Sequence, residues 1–340
     1  MKAAVVTSYG GPEVLQIHHL PDLAPGPGQI RVRVRAIGLN FADMFGRLGV
    51  YPGTPKPPFV PGMEFSGDIM DVGEGVAGFS AGDRVMGFSK LGSHAEQVVV
   101  NQSKVICFAP SMTYEDAAAF LVTNLSAYHG IVRLANLRRG ERLLVHAAAG
   151  GVGLAAVQIG KFLGAEVFGT AGTEQKTSLA RTYGADHVFD YTKVDFEKRI
   201  RVLTRKYGID VVMDSVGGEV FKKSWQLLAP MGRYVLYGVS AVTGKGAISR
   251  LKAAAVFSVM RPIFPPSLMS ANKGIFGFNL GLLTDKDEYF HEAVTELLRW
   301  QAQGVLKTLI GRIFSFDEIV EAHRFLQGRE SVGKVVVRIA

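Results

Sequence analysis

Apolar and polar side chains alternate through the early part of the chain, most plainly at Arg31-Val32-Arg33-Val34-Arg35. A period of two predicts a strand with one apolar face. Up to about residue 120, short apolar runs broken by Gly and Pro predict a β-rich, partly barrel-like domain. Turns fall at Val72-Gly73-Glu74-Gly75 and Ala81-Gly82-Asp83, and Pro52, Pro55, Pro57, Pro58 and Pro61 stiffen a loop ahead of Gly62. After Thr113, with Glu115 and Asp116 in a first helical turn, the period changes. Strands then alternate with helices. Leu143-Leu144-Val145 leads through a glycine turn into a helix to about Leu163, and Glu166-Val167-Phe168-Gly169-Thr170 precedes a helix from about Thr173. Val188-Phe189, Val211-Val212-Met213, Tyr234-Val235-Leu236-Tyr237 and Ile275-Phe276-Gly277-Phe278 supply the remaining strands. Such repetition predicts an α/β fold with a parallel, doubly wound sheet.

The tail from Leu280 carries an amphipathic helix through Phe290, Val294, Leu297 and Leu298 and ends in a strand over 334–339. It is too short for its own core and is expected to dock on the first domain. The expected division is therefore 1–124 with 281–340, and 125–280. Residues 250–272 are apolar and basic, with Pro262, Pro265 and Pro266. A packed crossover helix is the plainest reading; a lid, a dimer contact and a membrane-surface patch stay open.

Composition narrows the chemistry. A length of 340 residues suits two cores. Cys107 is the only cysteine, which excludes an intrachain disulfide and any zinc site with two thiolates. The eight histidines form no metal-binding pair, and adjacent His18 and His19 would face opposite sides of a strand. No apolar run reaches the ~18 residues of a spanning helix, and the first apolar run is too short for a signal peptide. The expectation is a soluble cytoplasmic protein without stable membrane insertion. The net charge of +8 is concentrated at 133–142 and 198–206. In the second cluster Ile200, Leu203 and Tyr207 have the spacing of an inward stripe. No aromatic-interleaved basic groove accompanies either cluster, so no nucleic-acid partner is expected.

The glycine turn carries the first functional signal. Ala148, Gly150 and Gly153 take the three small-residue positions of a dinucleotide fingerprint, with Gly151 adding freedom. Backbone N–H groups at the helix start can then meet a diphosphate. About 20 residues on, where an NAD site places an acid against the ribose, the chain reads Thr170-Ala171-Gly172-Thr173. Lys176 in the next helical turn could engage a 2′-phosphate, with Arg181 a weaker candidate and Glu174 a dissenting carboxylate. NADPH is favoured over NADH.

The chain resembles the zinc-free quinone oxidoreductase group of the medium-chain dehydrogenase/reductase superfamily. The matching segments are Gly38-Leu39-Asn40-Phe41-Ala42-Asp43, Pro61-Gly62-Met63-Glu64, Ala81-Gly82-Asp83-Arg84-Val85, residues 146–153 and Val332-Gly333-Lys334-Val335. Val212-Met213-Asp214, residues 228–232 and Gly277-Phe278-Asn279-Leu280-Gly281 look most like the vesicle amine transport protein homologues. The resemblance implies a GroES-like catalytic domain (1–124 and 281–340) and a Rossmann NADP-binding domain (125–280). Where the zinc branch has its first Cys ligand this chain has Asn40, and Met63 replaces a ligand His. Metal-polarised alcohol oxidation is therefore not expected. The resemblance further implies that Asn40 and Thr123 lie near the nicotinamide, Thr123 at the domain junction. Gly150, Gly151, Val152 and Gly153 would cradle the diphosphate. Gly172, Lys176, Tyr191 and Arg329 would enclose the 2′-phosphate end, and Phe276, Phe278 and Leu280 would run beside the nicotinamide. For Tyr191 and the Phe residues, core packing is an even rival. A homodimer joined at the open edge strand is expected.

Hydride transfer needs chiefly orientation in a site closed to water, and no Ser-Tyr-Lys or His-Asp relay is visible. The expected activity is NADPH-dependent reduction of a small electrophilic acceptor, a quinone or an α,β-unsaturated carbonyl. Asn40 would help to hold the acceptor, and Tyr51 or solvent would supply the proton. Asp43 and Glu64 are further polar candidates, read as structural hydrogen-bonding groups. Two alternatives remain: an NADPH-holding scaffold or membrane-associated binder with little turnover, and an enoyl thioester reductase.

Overall fold

The alternation at 31–35 becomes a long strand with Val32 and Val34 buried and Arg33 exposed. Its flanking arginines reach the neighbouring strand, Arg31 with a two-point contact to Asp71 and Arg35 with a 2.8 Å bond to Asp68. The computed structural model describes residues 1–242, 250–260, 264–283 and 286–339. In chain order the first elements are β1 (Lys2–Val6), β2 (Leu15–His19), β3 (Gln29–Leu39), α1 (Phe41–Arg47), β4 (Glu64–Val72), β5 (Arg84–Phe88), β6 (Gln97–Asn101), β7 (Val105–Cys107), α2 (Tyr114–Ala118) and α3 (Leu121–Tyr128). The alternating part follows as β8 (Arg142–Val145), α4 (Gly151–Phe162), β9 (Glu166–Ala171), α5 (Glu174–Thr182), β10 (His187–Asp190), α6 (Phe196–Leu203), β11 (Ile209–Asp214), α7 (Glu219–Leu227), β12 (Leu228–Leu236), α8 (Arg250–Met260), α9 (Pro265–Ala271) and β13 (Gly274–Gly277). The tail holds α10 (Asp287–Ala302), β14 (Ile310–Ser315), α11 (Ile319–Gln327) and β15 (Lys334–Arg338).

Contacts divide the chain into two units. The first comprises Met1–Val122, Gly281–Val294 and Thr308–Ala340, and the second Thr123–Leu280 with Thr295–Lys307. The first is a β-rich body. Its main sheet runs β14-β15-β3-β4-β5-β7, with β6 also paired to β3, and the tail enters it through β15 on β3. The second unit has the order β10-β9-β8-β11-β12-β13, all parallel. Counted from β8 as the first strand this is 3-2-1-4-5-6, the doubly wound order that turns back beside β8. Its central strands are buried on both faces, as Leu143, Leu144, Val145, Val211, Val212 and Met213 show at full burial.

Three local expectations change. At 198–206 the buried stripe is Phe196, Ile200 and Thr204, whereas Leu203 and Tyr207 are about half exposed (49% and 57%). The helix ends at Leu203, and left-handed Arg205 and Lys206 swing the chain off the helical path before Tyr207. Residues 250–272 form two short helices rather than one packed crossover. Val256 and Met260 of α8 lie over the Gly217–Gly218 turn, while Phe257, Phe264 and Met269 face solvent. Of the basic residues expected there, the Arg250 side chain and the whole of Arg261 lie outside what the structure describes. The tail also holds β14 and α11, whose burial depends on the first unit's core rather than on local periodicity alone. His18 and His19 are both exposed.

The first unit buries an uncommon group of polar side chains. Arg47 is fully buried, donating to Gly10 O and to Gln327 Oε1 (2.6 Å). His94 and His323 meet edge to face at 5.3 Å, both fully buried and with neither ring nitrogen hydrogen-bonded. Burial holds both neutral, lowering His94 to about 3 and His323 well below its usual value. Asp43 lies 3.9 Å from His94, and burial raises its carboxyl to about 7.

These shifts oppose one another with pH. The unfolded chain binds protons at both histidines below about 6.5, so their contribution to stability falls as pH drops through that value. The folded chain binds the Asp43 proton more tightly, so the Asp43 contribution is present at low pH and declines as pH rises from about 4 to 7. Two imidazoles outweigh one carboxyl, so these three groups together lose stability on acidification below about pH 6.5. Denaturant unfolding of His323→Phe should show this slope flattened; an unchanged slope would count against the assignment.

Candidate functional site

The chain leaves β8 through His146 and turns at Ala147, whose left-handed φ of 51° is costly for a residue with a Cβ. Two bonds hold the turn, Gly150 N–H to Ala147 O (2.9 Å) and Ala148 N–H to Thr170 O (3.0 Å). A Cβ at Gly153 would lie 2.2 Å from Ala147 O, and one at Gly169 would lie 2.9 Å from the Ala148 Cβ. Only small residues let α4 approach β8 and β9 this closely. The helix opens on Gly150, which has no side chain to cap it, so the N–H groups of Gly151, Val152 and Gly153 lack intrahelical partners. By contrast, Thr173 caps α5 and Asp195 caps α6. Beneath the turn, buried His146 is hydrogen-bonded to Thr170 Oγ1 (2.8 Å) and Ser224 Oγ (2.7 Å). The cradle therefore has a rigid floor and an open row of donors aligned with a helix dipole, the arrangement that suits a diphosphate.

At the end of β9 the structure brings Gly172 and Tyr191 together, and Lys176 follows in the first turn of α5. Tyr191 is 54% exposed, and its hydroxyl lies so near Gly172 that a Cβ there would be 2.6 Å from it. It is not a core residue. Lys176 occupies the first turn of α5, its N–H bonded to Thr173 Oγ1 (3.2 Å). Glu174, the dissenting carboxylate, is exposed and paired at 3.5 Å with Lys193. Arg181 is bonded to Val188 O (2.9 Å). The last residue of β9, Ala171, and the first residue after it, Gly172, present no acid.

Beyond the ends of β12 and β13 lies an aromatic group. Phe278 stacks on Tyr237 (5.8 Å, 14°) and meets the edge of His129 (4.8 Å, 72°). Phe276 on β13 and Leu280 in the following turn are half-buried, and Thr123 is buried on α3. His129 opens a wide helical turn over His129–Leu134. Burial lowers its pKa, with a further push from Arg133.

In the first unit, Asn40 follows β3 and precedes α1 as its N-cap, with its N–H bonded to Asp43 Oδ2 (2.8 Å). Its amide nitrogen donates to Gly38 O (3.0 Å) and Glu64 Oε2 (3.3 Å). Its oxygen accepts from Lys334 Nζ at 2.6 Å. Both amide N–H groups are thus committed within the unit. Tyr51 is half-buried on the turn after α1, and Arg329 is exposed after α11 with a left-handed φ of 59°. A zinc ion finds no donor set here. Asn40 and Met63 stand at the expected ligand positions, a lysine ammonium lies against Asn40, and Cys107 is exposed on β7. No group of three His, Cys, Asp or Glu among the described residues could hold a metal.

Four residues at these places escape a sequence reading: Lys193, His129, Tyr237 and Lys334. Only Lys334 leaves a trace, as a charge heading the apolar run Val335-Val336-Val337 of a strand.

Comparison with known proteins agrees with this geometry. The zinc-binding dehydrogenase family matches residues 151–299, and the alcohol dehydrogenase GroES-like domain matches residues 26–111. The synaptic vesicle membrane protein VAT-1 homolog of Rattus norvegicus is 37% identical over 340 residues, covering 99% of this chain and 84% of that protein. The Escherichia coli quinone oxidoreductase complexed with NADPH superposes with a TM-score of 0.88 at 31% identity, covering 99% of this chain and 100% of that one. The apo JamJ enoyl reductase superposes at 0.86 with 28% identity, covering 100% of both chains. With this strand order, this glycine turn and these residues at the metal-ligand positions, the chain belongs to the zinc-independent medium-chain dehydrogenases/reductases, homologous to VAT-1 and the quinone oxidoreductases.

Proposed function

We propose that this chain is an NADPH-dependent, zinc-independent reductase of a quinone or an α,β-unsaturated carbonyl, acting in the cytoplasm. The observation that carries the reading is the end of β9, where Ala171 and Gly172 stand in place of an acid, the Tyr191 hydroxyl lies against Gly172 and Lys176 follows in the first turn of α5. The bound dinucleotide supplies a hydride. Gly150, Gly151, Val152 and Gly153 hold its diphosphate through backbone N–H groups. Gly172, Lys176, Tyr191 and Arg329 receive the 2′-phosphate. Thr123, Phe276, Phe278 and Leu280 flank the nicotinamide and keep water from it. Asn40 acts by position, because a carbonyl could take one of its N–H groups only by displacing Gly38 O or Glu64 Oε2. Tyr51 or solvent supplies the proton.

Two other readings have specific support. The likeness to a protein named as a synaptic vesicle membrane protein supports the reading of a membrane-associated binder. No helix among the described residues is long and apolar enough to cross a membrane. The enoyl reductase likeness favours a thioester acceptor. Titration with NADPH and NADH, followed by quinones, enals and enoyl thioesters, separates them. Tight binding without NADPH oxidation on any acceptor selects the binder.

Lys176→Ala should weaken NADPH binding about tenfold, the effect of roughly 1.4 kcal/mol, and leave NADH binding nearly unchanged. Equal losses for both cofactors would remove Lys176 from the phosphate. Tyr51→Phe should lower turnover and alter its pH profile; full activity across pH assigns the proton to solvent. The open edge of β13, with Phe264 (68% exposed) and Met269 (80% exposed) on the adjoining segment, makes a homodimer the expected state. Sedimentation at assay concentration checks it, and a monomer rejects it.

A further inference from the structure

Lys334 heads β15, Asn40 directly follows β3 and Glu64 heads β4, three strands adjacent in one sheet. The Lys334 side chain is 3% exposed, and its Nζ donates to Asn40 Oδ1 and Glu64 Oε2, each at 2.6 Å. Glu64 is fully buried. Its Oε2 also accepts from Asn40, and its Oε1 accepts from Val122 N–H (2.9 Å). The three side chains form a closed triangle without room to relax, since a Cβ at Gly38 would lie 2.9 Å from Glu64 Oε2 and 1.9 Å from Ala118 O.

A buried ion pair gains little over well-packed apolar residues, so stability alone is a weak reason to keep one here. Its chemistry is more telling. Asn40 and Met63 stand where the zinc branch carries two ligands, and the ammonium lies against the first and against the neighbour of the second. Lysine only donates, so it forces the Asn40 oxygen inward towards Nζ and the Asn40 nitrogen towards Gly38 and Glu64.

We propose that Lys334 is a positioning residue that replaces the metal: a fixed monocation, joined by hydrogen bonds instead of ligation, holds Asn40 in one orientation at the reaction site. This rests on the reading above that Asn40 stands beside the nicotinamide. The geometry of the triangle itself does not.

Lys334→Met alone leaves Glu64 charged and unpaired in the interior, which threatens the fold. The double variant Lys334→Met/Glu64→Gln removes both charges. Two measurements test it. In protein labelled with 15N-asparagine, the Asn40 side-chain amide should exchange slowly in the wild type and at least tenfold faster in the double variant. Fast exchange in the wild type overturns the proposal before any variant is made. In steady-state kinetics the double variant should lose about tenfold in kcat with KM for NADPH little changed, and this loss should vanish in an Asn40→Ala background. An equal loss in both backgrounds, or an amide that stays protected, shows that Lys334 does not act through Asn40. If the wild type oxidises no NADPH with any acceptor, the proposed function fails, while amide exchange still decides the role of Lys334.

Discussion

The close approach of α4 to the strands before and after it governs the second unit. Gly153 sits where a Cβ would strike Ala147 O, and Ala148 sits where a Cβ on Gly169 would strike it. Any larger side chain at these points would push the helix outward and lengthen the path from its N–H groups to a bound phosphate. The same approach makes the turn at Ala147 tight enough to need a left-handed residue. His146 beneath it ties β9 and α7 to the floor through two hydroxyls, so the turn cannot sink to relieve the strain. Steric exclusion sets the position of the donors, and the missing side-chain cap leaves them available.

The first unit solves a different problem, the burial of charge. Arg47, Asp43, Glu64 and Lys334 are all nearly inaccessible, each of them costly to desolvate alone. Lys334 and Glu64 offset one another at 2.6 Å, Arg47 is held by oxygens of Gly10 and Gln327, and Asp43 responds by holding its proton more tightly. The neutral pair His94 and His323 completes an interior that is polar without a metal. What a dication would organise in the zinc branch is done here by directional hydrogen bonds. The difference matters for chemistry, because a lysine ammonium facing a carboxylate polarises a carbonyl far less than an open metal site does. Reduction that relies on hydride placement fits such a site better than alcohol oxidation.

Much of this was legible from the residues alone. Period-two alternation over 31–35 marked β3 and its buried face, and apolar runs spaced by helices marked the parallel sheet. The spacing of Ala148, Gly150 and Gly153 marked the tight turn between β8 and α4, whose left-handed residue is Ala147. Asn40, Met63 and a single cysteine were enough to argue against zinc. Local signals failed where a segment's role depends on distant surfaces. The stripe through Ile200 failed because Thr204, four residues on, takes the inward position instead of Leu203, and because left-handed Arg205 and Lys206 carry Tyr207 off the helical path.

Sequence by itself therefore determined which faces are apolar, where small residues permit close approach and which donors are missing, since each is a property of neighbours along the chain. Only the tertiary structure decided which polar groups meet. Lys334 lies 294 positions from Asn40 and 270 from Glu64, and Tyr191 reaches back over Gly172 from the next strand. Periodicity carries no record of such pairings. They arise because adjacent strands bring their ends together, and because a buried charge is stable only where its partner arrives with it.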